Sequence, residues 1–355
     1  LYWGMGVSSQ ADKSTTFDEI AHLTAGYTYW LTGDYRLHPE NGILPQRWAA
    51  LPLYVGEYRA PSLDQPSWWK SNVWTIGEQF FHHEGNDLAA MLLQGRAMIA
   101  LLGVGLGLVV YGWSRSLFGP LGGMISLLLY TFCPTMLAHG SLITSDMAVA
   151  LTLTVSMWCL WRVLHCVSWQ HVLGTGLVLG LLFVSKMSAV LIFPMGLLLL
   201  VVRLCAKQPL LVEIGPSRRV ERPATQLAVF AGAGLALVLI AAVVIWGFYG
   251  FRYSAFNVYE PGRDSLSGGW ETVISGTGSI GKVVEFAREH RVLPEAYLFG
   301  FTAVIQNAQA RVTFLNGEHG LTGWWQFFPY ALLVKTPVPA LILLACAMIG
   351  AALHF

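Results

Sequence analysis

Seven apolar stretches of roughly membrane-crossing length dominate the pattern of hydrophobic and polar positions along the chain. A helix needs about 20 apolar residues to cross about 30 Å of hydrocarbon. The stretches lie at residues 93–113, 119–138, 145–164, 171–185, 187–204, 227–250 and from 326 to the end. This pattern predicts an all-α polytopic membrane protein, with Gly119, Pro120 and Ser185 separating neighbouring spans. The fourth stretch is short, which favours a tilted, kinked or re-entrant helix.

The polar segments between these stretches divide the chain into five regions. Residues 1–7 are expected to be the tail of a first transmembrane helix that begins upstream, and residues 8–92 form a large, tryptophan-rich first loop. Tryptophan favours the membrane interface, so this loop is expected to carry interfacial helices. Residues 93–250 are predicted to form a bundle of about six transmembrane helices. Residues 251–325 then form a second loop region, and residues 326–355 a further, truncated span.

Basic residues are concentrated in alternate connections between the spans. Short loops rich in lysine and arginine stay on the cytoplasmic side of a membrane. The basic connections contain Arg115, Arg162, Arg203, Lys207, Arg218, Arg219 and Arg222. We therefore expect segments 8–92, 139–144 and 251–325, together with the break near Ser185, to lie outside the cytoplasm.

Composition excludes several classes of protein. Hydrophobic residues make up 55% of the chain and charged residues 12%, with a mean hydropathy of +0.55, whereas soluble domains carry about 25% charge. A formal net charge of +1 leaves no basic surface for nucleic acid, which is therefore not an expected partner. The five cysteines lack the paired spacing of a zinc or redox motif.

Two acidic sites are predicted to lie on the same side of the membrane. Asp18 and Glu19 follow the first apolar stub, and Asp146 opens the span 145–164. A carboxylate at the membrane surface can act as a general base toward a hydroxyl. The alternative for each site is a helix N-terminus, where acids favour the positive end of the dipole and Thr15 or Thr16 could cap the first helix. The count of spans places both segments on the same side of the membrane. We therefore prefer a site that contains both carboxylates.

Cations and ring residues accompany these acids on the same predicted face. Lys186 and Arg252 could hold an anionic headgroup, since arginine offers a fork for phosphate oxygens and lysine a point charge. The alternative is that they extend to the interface and contact only lipid and water. His38 and Glu40 could orient a sugar or bind a divalent ion, but two ligands do not define a metal site.

The ordered motifs resemble those of a known family, the phospholipid carrier-dependent glycosyltransferases of bacteria. These enzymes have the GT-C membrane fold and are related to protein O-mannosyltransferases (glycosyltransferase family 39) and aminoarabinose transferases. The resemblance covers most of the chain. It rests on Phe17-Asp18-Glu19, Ala25-Gly26-Tyr27, the stretch 32–40, Ala138-His139, Thr144-Ser145-Asp146, Lys186, the stretch 249–253, Gly317-Glu318-His319, Gly323-Trp324-Trp325 and Lys335-Thr336-Pro337.

The resemblance implies a role for each candidate residue. Asp18 would be the catalytic base, Glu19 a supporting residue and Asp146 the second acid. The residues expected to bind the donor phosphate are Lys186, Arg252 and Arg47. The residues expected to form the sugar or acceptor pocket are His38, Glu40, His139, Glu318 and His319. No cofactor is expected to be required and no metal site is assigned, with a divalent ion as a secondary alternative.

One departure from the family leaves the donor sugar open. Related chains commonly continue His-Pro-Glu with His-Pro-Pro-Leu, whereas in this chain His38-Pro39-Glu40 is followed by Asn41-Gly42. This difference bears on the sugar side of the pocket rather than on the class of reaction.

The predicted function is transfer of a sugar from a polyprenyl phosphate to a hydroxyl acceptor of unknown identity. The resemblance implies a bacterial inner membrane protein with its active site on the periplasmic or external side, in contact with membrane lipid. Two alternatives remain: a non-catalytic subunit or scaffold that contacts a membrane protein partner, and a transporter. Fold alone does not distinguish among these functions.

Overall fold

The chain folds into mostly short helices in its first and last parts and long apolar helices between them. The computed structural model describes residues 1–309 and 312–354, so Phe355, the last residue of the predicted final span, lies outside the described residues. Within these two ranges, strands are confined to two small sheets. The predicted all-α polytopic membrane fold is therefore confirmed.

The first part of the chain contains five short helices. They are α1 (Tyr2–Gln10), α2 (Phe17–Thr32), α3 (Ile43–Val55), α4 (Pro66–Trp69) and α5 (Val73–His82). Helices α2 and α3 pack closely at Gly26, where a Cβ atom would lie 1.9 Å from the carbonyl oxygen of Gln46. Only glycine allows the two helices to approach this closely.

The central part of the chain contains most of the apolar helices. They are α6 (Leu88–Thr131), α7 (Pro134–His139), α8 (Asp146–His165), α9 (Trp169–Phe183), a 3-10 helix (Met187–Leu191), α10 (Ile192–Cys205) and α11 (Pro223–Phe248). In the described part of the chain, four helical segments are long and apolar enough to cross a membrane: α6, α8, the 3-10 helix with α10, and α11. Helix α9 is apolar but has only 15 residues.

Helix α6 reverses direction at Gly119. This residue has φ 74°, which glycine adopts at little cost, and Pro120 begins the next turn. The hydroxyl of Tyr130 donates a hydrogen bond to the carbonyl of Gly103 at 2.6 Å, although a straight helix would hold these residues about 40 Å apart. The two arms of α6 therefore run antiparallel, and the break coincides with the boundary expected between two spans.

The last part of the chain returns to short helices before two apolar ones. The helices are α12 (Gly269–Ile274), α13 (Gly278–Glu289), α14 (Glu295–Ala308), α15 (Phe327–Lys335) and α16 (Val338–His354). Helices α15 and α16 meet at an angle of 116°. Residues from α2, α3 and α14 share one hydrophobic core with Tyr249 at the end of α11. Helices α2, α3 and α14 thus cover the same end of the bundle.

The basic connections gather at the opposite end of the bundle, around a three-stranded sheet. Strand β1 (Cys166–Ser168) pairs in parallel with β2 (Leu210–Glu213), which pairs antiparallel with β3 (Arg218–Val220). The buried Arg203 donates hydrogen bonds to the carbonyls of Leu164 at 2.8 Å and Gln208 at 2.9 Å. Asp146 and this sheet lie at opposite ends of α8, whose 20 residues span about 30 Å.

Candidate active site

The adjacent acids at the start of α2 lie in different environments. Thr16 precedes the helix, and its backbone N–H donates to the Glu19 carboxylate at 2.9 Å, as in a capping box. Arg96 donates to both oxygens of Glu19 at 2.8 and 2.7 Å. Asp18 is exposed and forms no ion pair within residues 1–309 and 312–354. Of the two acids, Asp18 alone can meet a substrate without breaking an ion pair.

Arg96 organises the segment that leads into α2. It is 1% exposed, and besides Glu19 it donates to the carbonyls of Gln10, Lys13 and Ser14 at 2.8 to 2.9 Å. Burial alone would raise the pKa of Glu19, but the hydrogen bonds from Arg96 and Thr16 outweigh it and hold this pKa below its ordinary value. Arg96 was not among the site residues predicted from the sequence, although a lone cation inside the apolar stretch 93–113 is a usable signal.

Two buried histidines lie between Asp18 and Lys186. The rings of His22 and His38 meet edge to face with centroids 4.9 Å apart. Burial lowers the pKa of His22 well below its ordinary value, and the positive charges of His38 and Lys186 lower it further. Burial also lowers the pKa of His38, while the negative charges of Glu40 and Asp18 oppose this effect. Both rings are therefore neutral at pH 7, and the five ionisable groups form one cluster.

The loop that carries His38 and Glu40 is held between two close backbone contacts. A Cβ atom at Gly42 would lie 1.8 Å from the carbonyl oxygen of Ser185, and one at Gly300 would lie 1.9 Å from that of Pro39. Leu44 N–H also donates to the carbonyl of Val184 at 3.0 Å. These contacts fix the loop against both α14 and the break that contains Lys186.

Hydrogen-bonding capacity remains open around His38. Its ring nitrogens face the side-chain amides of Asn41 at 2.8 Å and Gln46 at 3.4 Å, and Glu40 lies 3.7 Å away. His22 Nδ1 and Gln46 Oε1 are buried without a hydrogen-bond partner among the described residues. Buried polar atoms usually have partners, so unpaired ones beside a cluster of this kind suit a hydroxyl-bearing ligand.

Asp146 and Lys186 form an ion pair beside the histidines. A carboxylate oxygen of Asp146 accepts a short hydrogen bond from Lys186 Nζ, and the second accepts one from Thr144 Oγ1 at 3.3 Å. Both members of the pair are partly exposed. Ile143 N–H donates to Glu19 at 3.2 Å, which ties this loop to the start of α2. The structure thus brings Asp18, Asp146 and Lys186 to the same end of the bundle.

Other predicted site residues differ in how closely they approach this cluster. His139 is exposed at the end of α7, in the connection that leads to Asp146. Arg252 instead donates to the carbonyls of Gly33 at 2.6 Å and Ser254 at 2.9 Å, and it stacks over Tyr35. Its contacts join the end of α2 to the second loop region, so its predicted role in phosphate binding has no geometric support here.

Arg47 and the pair Glu318–His319 also lie apart from the acids. Arg47 stacks on Trp30 with its guanidinium carbon 3.9 Å from the ring centroid. Glu318 and His319 are exposed on β5 (Glu318–Gly320), which pairs with β4 (Thr313–Leu315). No hydrogen bond or ion pair within the described ranges links Glu318 or His319 to the cluster, and their role stays a prediction.

An aromatic pair that sequence analysis did not assign borders Asp18. Phe17 and Trp74 are exposed and stack with ring centroids 4.3 Å apart. The Trp74 ring lies 6.5 Å from that of His38. The pair forms an aromatic wall at the start of α2, where Asp18 follows Phe17 in the sequence. The first loop contains several tryptophans, and nothing in the sequence distinguished Trp74 from the others.

A second buried network supports the loop from outside the cluster. Arg36 pairs with Asp34 at 2.8 Å and with Asp264 at 3.2 Å, and its guanidinium lies between Trp68 and Phe256. Its charge is neutralised by these two carboxylates, so it anchors the first loop to the second region. Among the described residues, no group of three or more His, Cys, Asp or Glu side chains could hold a metal ion.

The central part of the chain matches the model of a known family. Residues 85–246 match the dolichyl-phosphate-mannose-protein mannosyltransferase family model. This confirms the predicted resemblance and supports a membrane glycosyltransferase. The match covers just under half of the chain; it includes Asp146 and Lys186 and excludes Asp18, His38 and Arg252. No curated protein and no solved structure matches the chain.

Proposed function

We propose that the protein transfers a sugar from a polyprenyl phosphate to a hydroxyl acceptor, with Asp18 as general base. One observation carries this proposal: an exposed, unpaired carboxylate shares one end of the bundle with a lysine and with neutral, hydrogen-bonding side chains. The adjacent Glu19 is already neutralised by Arg96. This leaves Asp18 for proton transfer.

The proposed reaction is an inverting displacement at the anomeric carbon. Asp18 takes the proton of the acceptor hydroxyl while that oxygen forms a bond to the anomeric carbon. The bond from this carbon to the phosphate oxygen breaks, and the polyprenyl phosphate leaves with the electron pair. Lys186 stabilises the negative charge of the leaving phosphate, an electrostatic contribution that requires no cofactor.

An apolar groove next to Lys186 supports a lipid-linked donor. The groove has a volume of about 590 Å³ and is lined by side chains of α8 to α11 and by Tyr297. Phe183 and Ile192 both line it, and Lys186 lies on the segment between them. A prenyl chain in this groove would present its phosphate near Lys186, as a lipid carrier requires.

Asp146 is proposed to hold Lys186 in place before the donor arrives. The ion pair neutralises the partly exposed lysine and restricts its side chain. An incoming phosphate then joins or replaces Asp146 as the partner of the cation. His139 and Glu40, at the edges of the cluster, and the Phe17–Trp74 wall would contact the sugar or the acceptor.

The proposed site faces the non-cytoplasmic side of a bacterial inner membrane. The positive-inside rule supports this orientation, because the basic connections lie at the end of α8 opposite Asp146.

The direct test is sugar transfer by full-length protein reconstituted in lipid. We would supply polyprenyl phosphates carrying mannose, glucose or aminoarabinose, with and without a metal chelator, and measure sugar release. We expect release from at least one donor, unchanged by the chelator. No release together with no donor binding would overturn the proposal in favour of a non-catalytic subunit.

Variants of Lys186 test the donor side separately. Lys186→Gln should raise KM for the donor about tenfold or more, whereas Lys186→Arg should retain most of the affinity because it keeps the charge. Lys282→Gln, at an exposed position on α13, is the matched control. Equal donor KM for Lys186→Gln and Lys282→Gln would remove Lys186 from the phosphate site.

A further inference from the structure

A second groove, separate from the proposed donor groove, lies between α3 and α11. Its volume is about 460 Å³, and apolar side chains form most of its wall. The lining residues are Trp30, Leu44, Arg47, Trp48, Leu51, Val244, Gly247 and Phe248. Arg47 is the one charged residue among them. The groove is therefore an apolar cleft with a single cation in its wall.

The guanidinium of Arg47 has unused hydrogen-bonding capacity. Its Nη1 donates to the carbonyl of Phe248 at 3.2 Å, and its plane stacks on Trp30. Within residues 1–309 and 312–354, its buried Nε has no hydrogen-bond partner and no carboxylate forms an ion pair with the guanidinium. A stacked guanidinium can still offer its edge to phosphate oxygens. The positive charge of Arg47 therefore favours an anionic ligand.

Arg47 faces away from the His38 cluster. Its neighbour Gln46 contacts His38, and successive residues of an α-helix point about 100° apart. Arg47 therefore faces α11, not the proposed catalytic residues. Burial lowers the pKa of the Arg47 guanidinium, and among the described residues the titratable group that opposes this effect is Tyr35, not Asp18 or Asp146.

The groove lies at the depth where lipid headgroups are found. Phe248 is the last residue of the membrane-spanning helix α11, so Arg47 lies at the end of a span. The N–H groups of Trp30 and Trp48 donate inward, to the carbonyls of Arg47 and Met98 at 2.7 Å each. Both rings thus border the cleft at a level typical of interfacial tryptophans.

We propose that this groove binds an anionic membrane phospholipid, with the phosphate on Arg47 and an acyl chain along α11. The single unpaired cation matches one phosphate, and the apolar wall matches a hydrocarbon chain. The lipid would stay bound at the end of the bundle that contains the proposed active site. It would be distinct from the glycosyl donor.

Native mass spectrometry of the full-length protein, released from detergent, tests this proposal. The probe lipids are palmitoyl-oleoyl phosphatidylglycerol and its phosphatidylcholine counterpart, titrated onto wild type, Arg47→Gln, Arg47→Lys and Arg59→Gln. Arg59 is an exposed arginine of the same loop that does not line the groove, so Arg59→Gln removes the same charge elsewhere. Thermal unfolding of each variant confirms that it is folded.

The expected result is one tight phosphatidylglycerol site in wild type and Arg59→Gln. Arg47→Gln should weaken it about tenfold or more, as expected for loss of a charge-assisted phosphate contact, and Arg47→Lys should weaken it less. Equal affinities in Arg47→Gln and Arg59→Gln would overturn the proposal. Displacement of phosphatidylglycerol by added polyprenyl phosphate would also overturn it, by assigning the groove to the donor.

Discussion

Asp18 and Glu19 are sequence neighbours that the fold assigns to different environments. Glu19 is buried in an ion pair with Arg96, whereas Asp18 stays exposed beside the histidine cluster. The difference arises from the helix, since the third residue of α2 turns inward toward α6 and the second turns outward. Glu19 therefore belongs to the helix cap, whereas Asp18 keeps a free carboxylate. The helix-cap and general-base interpretations of the motif are compatible.

Removing the buried charge partner is expected to destabilise the protein. Glu19→Gln leaves Arg96 buried without its counter-ion, which typically costs about 3–5 kcal/mol. Thermal or denaturant unfolding in detergent measures this effect. Asp12→Asn, at an exposed position in the same segment, should change stability by less than about 0.5 kcal/mol. A Glu19→Gln variant as stable as Asp12→Asn would contradict the role assigned to the pair.

The buried histidines predict loss of stability at acidic pH. The pKa of His22 in the folded protein lies well below 6.5, so below about pH 6.5 only the unfolded chain takes up the proton. Stability is therefore full above this pH and falls by about 1.4 kcal/mol per pH unit for each such histidine on acidification. Unfolding measured from pH 7.5 to 5.5 should show a shallower loss in His22→Asn. An identical slope would refute the assignment.

Residue-level predictions from the sequence had a clear limit. Counting spans predicts which end of the bundle a residue occupies, and in the structure Asp18, Asp146 and Lys186 do lie at one end. Counting cannot show which neighbours a side chain meets. For that reason Arg96 was missed, and the phosphate-binding role of Arg252 stays a prediction, since its side chain contacts the carbonyls of Ser254 and Gly33.

At the scale of elements, glycines hold the first loop against the bundle. Gly42 contacts the Ser185 backbone so closely that a methyl group does not fit. Gly42→Ala should displace the loop that carries His38 and Glu40, with a loss of about 1–3 kcal/mol in stability and a drop in turnover. Gly232→Ala, where the added methyl meets open space, is the control. Unfolding and activity equal to this control would show that the contact is unimportant.

Helices and their boundaries were predictable from the sequence where the apolar stretches were long. The boundary at Gly119 follows from a Gly-Pro pair inside an apolar run, and the reversal of α6 occurs there. The three-residue strands near the basic end were not foreseen, because so short a segment has no periodicity of its own. Their pairing depends on the ends of α8 and α10 coming together.

At the scale of the whole molecule, the two ends of the bundle carry different chemistry. One end gathers acids, histidines and aromatic side chains, and the other gathers arginines around the small sheet. Charge bias predicts that the arginine-rich end is cytoplasmic. The proposed donor groove runs along α11, lined from Phe230 in its first half to Ile245 near the site.

Cysteine labelling in intact cells tests this orientation. Cys205 is exposed at the end of α10 near the basic connections, so an impermeant maleimide should label it only after permeabilisation. In a variant without the native cysteines, Asp64→Cys in the first loop should be labelled without permeabilisation. Labelling of Cys205 from outside would reverse the assignment of the two faces.

The most direct test of the central claim is the turnover of Asp18→Asn on a donor that the wild type uses. Asp64→Asn, at an exposed acid of the same loop, controls for loss of charge, and donor binding is measured in parallel. We expect Asp18→Asn to bind the donor normally and to lose about 10²- to 10⁴-fold in kcat, the usual contribution of a general base. A kcat within a few fold of Asp64→Asn would show that Asp18 is not the base.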